Sequence, residues 1–297
     1  MFDFFKKIFN ERSEGGWNSD SPTMQVNTGD HLMITPDKSG LPYMVATCQS
    51  TGRERTHNED TLFIVNTYLD GIDPGLAMGL YIVADGMGGH QSGEVASHLA
   101  VQGAGFSLLD KLLKTQIFER KGFTEQEVKD LLQEAVKKAQ ALISQRVPGG
   151  GTTLTLALIL GDRVFTAHVG DSRLYVLSEN GKLNLSTKDH SLVKRLVDLG
   201  EITEADAATH PQRNVLYRAL GQTDALEPDL DQFTLKKGDL ILICSDGLWG
   251  VVDKAALKVI LEDDGLDLDQ KACALVDAAN QAGGPDNISV VLVKRIA

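Results

Sequence analysis

Five aspartates fall where short apolar runs begin or end. Asp60 opens the run 61–65, Asp85 closes 80–84, Asp246 follows 240–245 and Asp286 precedes 288–293, while Asp171 sits in a turn between two further runs. If these runs are antiparallel strands, the end of one lies beside the start of the next, so all five can gather on one sheet edge. Carboxylates packed over a low-dielectric floor repel one another and are poorly solvated, so they either take up protons or recruit cations. Hard divalent ions answer that need. No cysteine or histidine pair stands at zinc spacing, so oxygen-only ligation points to Mg2+ or Mn2+, and two such ions can share a bridging hydroxide that attacks phosphorus in line.

An aspartate in a turn more often just bonds the backbone, so the others need sorting. Asp162 and Asp239 each begin a strand whose far end leads towards Asp171 or Asp246, and about six strand residues span roughly 20 Å. Both are therefore structural. Asp263-Asp264-Gly265, followed by Asp267 and Asp269, lacks the ligand spacing of a calcium loop and reads as a solvated connection.

The elements that must position the aspartates are legible as apolar runs. Strands are expected at 43–49, 62–65, 79–84, 152–160, 163–169, 173–177, 182–185, 230–235, 240–244 and 288–293. Gly161-Asp162, Asn180-Gly181 and Lys237-Gly238 read as tight turns, which force antiparallel pairing of the strands they join. Helices are expected at 93–113, at 125–145 behind a capping box of Thr124 with Glu127, and at 268–282, stopped by Gly283-Gly284-Pro285. Hairpins with helices inserted in blocks suggest an α+β fold of antiparallel sheets layered with helices. Residues 186–225 read as an irregular, partly helical insertion. Residues 11–40, rich in Ser, Gly, Asn, Asp, Thr and Pro, read as a flexible tail, so residues 1–40 form a tail and 41–297 one domain. At its start Phe2, Phe5 and Phe9 share one helical side, a short amphipathic segment that either rests on its own domain or docks on a partner or membrane surface.

With 42 % apolar and 24 % charged residues, the 297-residue chain can bury a sizeable core. Its net charge of −12 argues against a nucleic-acid or anionic-membrane partner and would repel an anionic substrate globally. Any phosphate must be met by local positive charge, from bound cations or a placed arginine. Cys48, Cys244 and Cys273 are scattered and odd in number, which indicates neither a disulfide framework nor a zinc ribbon and suits a reducing compartment. No apolar stretch approaches the ~20 residues of a membrane span, and the charged start has no small-residue cleavage site, so the chain reads as cytoplasmic.

Six motifs occur in order: Arg55-Thr56-His57-Asn58-Glu59-Asp60, Asp85-Gly86-Met87-Gly88-Gly89-His90, Gly151-Thr152-Thr153, Val169-Gly170-Asp171-Ser172-Arg173, Ser245-Asp246-Gly247-Leu248-Trp249 and Gly284-Pro285-Asp286-Asn287-Ile288-Ser289. Over residues 43–296 the chain resembles the bacterial branch of the PP2C-type, or PPM, metal-dependent Ser/Thr protein phosphatases. The resemblance implies a four-layer α-β-β-α sandwich and hydrolysis of phosphoserine and phosphothreonine in proteins. It implies that Asp60, Asp85, the Gly86 carbonyl, Asp246 and Asp286 hold two Mg2+ or Mn2+ ions, with Glu59 helping through water. Asp171 would join Asp246 at a third, weaker ion, and Arg55 would hold the substrate phosphate. The partners implied are phosphorylated proteins made by a Ser/Thr kinase, met by a monomer.

One departure concerns proton transfer. Where some relatives have a histidine directly after the Asp-Gly pair, this chain has Met87, which donates no proton. A metal-bound water is the leading substitute; His90 reads as a cap of the following helix, and His168 as a satisfied core histidine. His210 and Arg213 resemble the flap that borders the site in bacterial members. Two other readings compete. A nucleotide-phosphate loop at Asp85–Gly89 lacks both Gly-x-x-x-x-Gly-Lys and a completed Gly-x-Gly-x-x-Gly. A catalytically inactive, phosphoprotein-binding module predicts a lost metal aspartate, and none is lost.

Overall fold

The computed structural model describes residues 41–69, 76–88, 91–115, 122–222 and 226–297. The expected tail at 1–40, with its Phe-rich start, lies outside the described residues, as do Gly89 and His90. In chain order the elements are β1 (Tyr43–Ser50), β2 (Thr61–Leu69), β3 (Leu76–Ala84), β4 (Gly86–Met87), α1 (Gln91–Leu113), α2 (Glu125–Arg146), β5 (Gly151–Thr152), β6 (Leu154–Leu160), β7 (Arg163–Val169) and β8 (Arg173–Leu177). There follow β9 (Leu183–Leu185), α3 (Leu192–Asp198), α4 (Glu204–Thr209), β10 (Asp229–Thr234), β11 (Leu240–Cys244), α5 (Asp246–Trp249), α6 (Lys254–Glu262), α7 (Leu268–Gln281) and β12 (Ile288–Arg295).

Two five-stranded antiparallel sheets form, in the orders β1-β12-β11-β8-β9 and β10-β7-β6-β3-β2, with a small β4-β5 ribbon beside them. Strand alternation assigns each side chain to a layer. Tyr81, Val83, Ile241, Ile243, Val291 and Val293 point between the sheets. Leu80, Ile82 and Ala84 turn the other way, onto α1 and α2, while Leu240, Leu242 and Cys244 face α6 and α7. The result is the expected α-β-β-α sandwich.

The capping box forms as expected: Thr124 Oγ1 accepts from Glu127 N, and Glu127 Oε2 accepts from Thr124 N at 2.8 Å. Three expectations are corrected. The run 152–160 is two strands, because Thr152 pairs with Gly86 in the ribbon while Leu154 joins the sheet beside Val169. The Lys237-Gly238 turn does not join a paired hairpin: β10 lies beside β7 and β11 between β12 and β8, so the chain changes sheet there, with Leu235 buried between them. Helix α6 was not expected at all, although Asp253 caps it by accepting from Ala256 N and it buries Leu257 and Leu261. The insertion is partly helical, holding α3 and α4. The three cysteines form no disulfide, yet Cys48 and Cys273, scattered in sequence, bring their sulfurs to 3.1 Å.

Candidate metal centre

The aspartates enter the site in pairs, one pair from each sheet. Thr61 pairs with Ala84, so Asp60 and Asp85, one residue beyond each, emerge side by side from β2 and β3. In the other sheet Cys244 pairs with Val290, and the ladder continues through Ser245 N donating to Ser289 O at 3.2 Å. Asp246 and Asp286 leave that sheet at the same end. Asp171 lies where the chain crosses from β7 of one sheet to β8 of the other. A pocket of about 170 Å³ at this end is lined by Arg55, Glu59, Asp85, Gly86, Met87, Asp171, Asp246 and Asp286, with Asn214 and Leu216 of the insertion closing one side.

Groups behind the pocket hold Asp60 and the backbone around it. Asp60 is buried, and its Oδ2 accepts from Ser245 Oγ at 2.8 Å and Ser289 Oγ at 2.6 Å, while its Oδ1 is buried and accepts no hydrogen bond. An acceptor enclosed without a donor is costly, which is the condition a cation relieves. The Asp85 backbone is clamped by Thr153, whose Oγ1 accepts from Asp85 N at 3.0 Å and whose N donates to Asp85 O at 2.9 Å. Asn287 fixes the loop before β2: its side chain accepts from Glu59 N at 2.8 Å and donates to the Thr51 and His57 carbonyls at 2.9 and 3.0 Å. Gly86 admits no side chain, since a Cβ there would lie 2.3 Å from the Gly93 carbonyl oxygen and 2.6 Å from that of Glu59. Its backbone can thus approach the pocket as no other residue could.

Desolvation and mutual repulsion act together here. Burial, then the charges of Asp60, Asp246, Asp171 and Asp286, push the Asp85 carboxyl well above the ordinary range. Burial followed by Asp246 does the same to Asp171. Asp60 is pushed up to about 7 by burial, against the pull of its two serine bonds, and Asp246 to about 6 by burial and Asp286. An all-oxygen set that is this reluctant to ionise alone, with one orphaned Oδ1, fits hard divalent cations. The donors surround the pocket rather than close on one point: among the described residues no three ligand-type side chains form a ready cage. Some are held by neighbours, with Arg55 Nη2 on Asp286 Oδ2 at 2.7 Å and His57 Nε2 at 2.9 Å from Glu59 Oε1.

Arg55 is half exposed at the rim, where its guanidinium can turn to an incoming anion. Met87 lines the pocket beside Gly86, and among the described residues no histidine does. His168 is a core residue bonded to Thr155 Oγ1 at 2.9 Å and the Lys188 carbonyl at 3.1 Å. Asp239 accepts from Glu179 N and Lys236 N, at 3.1 and 2.8 Å, and Asp162 lies beside Arg295, so neither joins the pocket. Arg213 borders an adjoining cavity of about 280 Å³ with Asp171, Asp246, Lys194 and Trp249, whereas His210 caps the end of α4. Sequence reasoning left Ser245, Ser289, Thr153 and Asn287 without roles. The hydroxyls and the amide lie within the quoted motifs, but only the fold shows that the serines serve the Asp60 carboxylate while Thr153 and Asn287 serve backbone groups.

The model of the family described as protein phosphatase 2C matches residues 53–281. The serine/threonine phosphatase stp of Listeria innocua is 38 % identical over 250 residues, spanning 82 % of this chain and 92 % of that one. The solved Mycobacterium tuberculosis serine/threonine phosphatase PstP/Ppp is similar at 34 % identity with a TM-score of 0.72, covering 86 % of this chain and 99 % of that one. The catalytic domain of PstP in complex with 2 manganese ions is similar at 31 % identity with a TM-score of 0.70, covering 86 % of this chain and 99 % of that one.

Proposed function

The chain belongs to the protein phosphatase 2C family and is a divalent-metal-dependent serine/threonine protein phosphatase, and from that premise we propose how its own residues divide the work. Its substrates are phosphoproteins. Asp60, Asp85, the Gly86 carbonyl, Asp246 and Asp286 hold two Mg2+ or Mn2+ ions, Glu59 assists through water, and Asp171 with Asp246 holds a third, weaker one. When bound, such ions neutralise the carboxylates and the phosphate and acidify the attacking water.

The chain's residues do the rest. Arg55 leaves Asp286 to grip two phosphate oxygens as a planar fork, which orients phosphorus towards the aspartate floor. Ser245 and Ser289 keep Asp60 in one rotamer, and Thr153 keeps the Asp85 backbone in place. Met87 has no proton to give the departing seryl or threonyl oxygen, so that proton comes from water. We further propose that the protein acts as a monomer in the cytoplasm against the products of a Ser/Thr kinase. Among the described residues no helix is long and apolar enough to cross a membrane. No feature favours the catalytically inactive reading.

The observation that carries this proposal is the meeting of aspartates from both sheets at one pocket with Arg55 on its rim. Purified protein should cleave p-nitrophenyl phosphate and a phosphothreonine peptide with Mn2+ or Mg2+ and stop in chelator. Asp246→Asn should abolish turnover. Full activity in metal-free buffer would overturn the assignment.

A further inference from the structure

We propose that His190 is the positioning residue for Asp171, and that it also ties the base of the 191–216 insertion to the metal pocket. This rests on the proposed role of Asp171 in turnover. Asp171 follows Gly170, whose φ is +108 and where a Cβ would lie 2.6 Å from Thr153 Cβ, so only glycine fits the turn. Both backbone polar groups of Gly170 are taken by one residue: its N–H donates to His190 Nδ1 at 3.0 Å, and its carbonyl accepts from His190 N at 2.7 Å.

The first of these bonds sets the imidazole's tautomer. A backbone N–H only donates, so Nδ1 is the acceptor and the proton sits on Nε2. Nε2 donates to Asp229 Oδ2 at 3.1 Å, and Asp229 Oδ1 accepts from Arg218 Nη1 at 2.6 Å. The ring is 1 % exposed, packed 5.0 Å from the His168 ring and 5.7 Å from that of Tyr217. On the other side of the turn, Asp171 O accepts from Trp249 Nε1 at 3.0 Å. The peptide units flanking Asp171 are thereby fixed, and its carboxylate remains available to the pocket it lines.

The same histidine closes the insertion. Its carbonyl accepts from Tyr217 N at 2.9 Å, and one residue on, Leu192 N donates to Val215 O at 2.8 Å with a bridge between Ser191 and Leu216. Asn214 and Leu216, on the returning end, line the pocket with Asp171. One residue therefore sets both the aspartate's turn, through its ring and backbone N–H, and the wall that faces it, through its carbonyl.

The test uses a substitution that keeps the acceptor. In His190→Asn, Oδ1 stands as many bonds from the backbone as Nδ1 and can accept from Gly170 N; in His190→Leu, that buried N–H has no acceptor. The full chain is assayed with Mn2+ and p-nitrophenyl phosphate, with melting temperature recorded for each variant. His190→Leu should lower kcat about tenfold or more with KM within about twofold, as outer-sphere partners of metal ligands typically do. His190→Asn should recover most of that loss. Added to Asp171→Ala, His190→Leu should cause no further fall, because residues acting as one unit are not additive. Equal losses in the Asn and Leu variants, or losses that multiply in the double variant, would overturn the inference while leaving Asp171 in place. Wild-type kcat in Asp171→Ala would remove its premise. If His190→Leu does not fold, Asp229→Ala, at a half-exposed carboxylate, replaces it: a lower kcat at unchanged KM that vanishes in the Asp171→Ala background supports the inference, and any other pattern overturns it.

Discussion

Asp85→Asn should be more stable than the native protein in chelator and less stable in Mn2+. In the native chain, desolvation and four neighbouring aspartates work against an ionised Asp85. Asparagine has the same shape and carries no charge. Replacing an uncompensated, enclosed charge by a neutral isostere contributes about 1–3 kcal/mol at neutral pH. In a domain of this size 1 kcal/mol moves Tm by roughly 2 °C, so a rise of about 2–6 °C is expected in chelator. With Mn2+ at a thousandfold excess over its Kd, the native protein gains about 4.1 kcal/mol, whereas the variant lacks a ligand and gains little. The two melting temperatures therefore change order between chelator and metal. Scanning calorimetry of both proteins in both buffers reads this directly. A variant that is less stable in chelator, or that keeps the full Mn2+ shift, would refute the view that apposed carboxylates strain the metal-free fold.

Arg55→Ala should raise KM for a phosphopeptide about tenfold or more, since it removes a charge-assisted fork, and Arg55→Lys should restore little of it; an unchanged KM in steady-state kinetics removes Arg55 from the phosphate site. Deleting residues 1–40 should leave kcat on p-nitrophenyl phosphate unchanged, because β1 begins only at Tyr43; a folded deletion protein without turnover would place the tail in the active site. Gly86→Ala should lose most activity and several degrees of Tm, because its Cβ would fall against two backbone carbonyls that cannot both retreat; near-native kinetics and melting would show the approach of α1 to be slack.

What the sequence makes legible is local. Asp60, Asp85, Asp246 and Asp286 stand at the ends of β-branched and leucine-rich runs, so their arrival at one end of the sheets follows from antiparallel pairing. Thr124 and Glu127 announce α2 for an equally local reason, the capping box. The β4-β5 ribbon stays hidden because two-residue strands have no period, and its pairing spans 151 to 87 across two helices. Helix α6 carried a readable signal, an aspartate cap before apolar residues four apart at Leu257 and Leu261, but lysines and alanines dilute the stripe. The Lys237-Gly238 turn misleads for a physical reason: in a two-layer sandwich a short turn can also carry the chain from one sheet to the other.

The groups that hold the aspartates were less visible than the aspartates themselves, because their partners are distant in sequence. Ser245 and Ser289 reach Asp60 across separations of 185 and 229 residues. Asp171 shows why such support is needed most at one position. Asp60 and Asp85 directly extend paired strands and Asp246 and Asp286 lie within two residues of theirs, whereas Asp171 occupies the crossing between sheets, where no ladder continues. The backbone there is held from outside the ladders instead, at Gly170 by His190 and at Asp171 by Trp249. A centre assembled from two sheets gains close approach of carboxylates that one sheet would keep a strand apart, and in return its crossing residue depends on contacts from the insertion that borders the substrate.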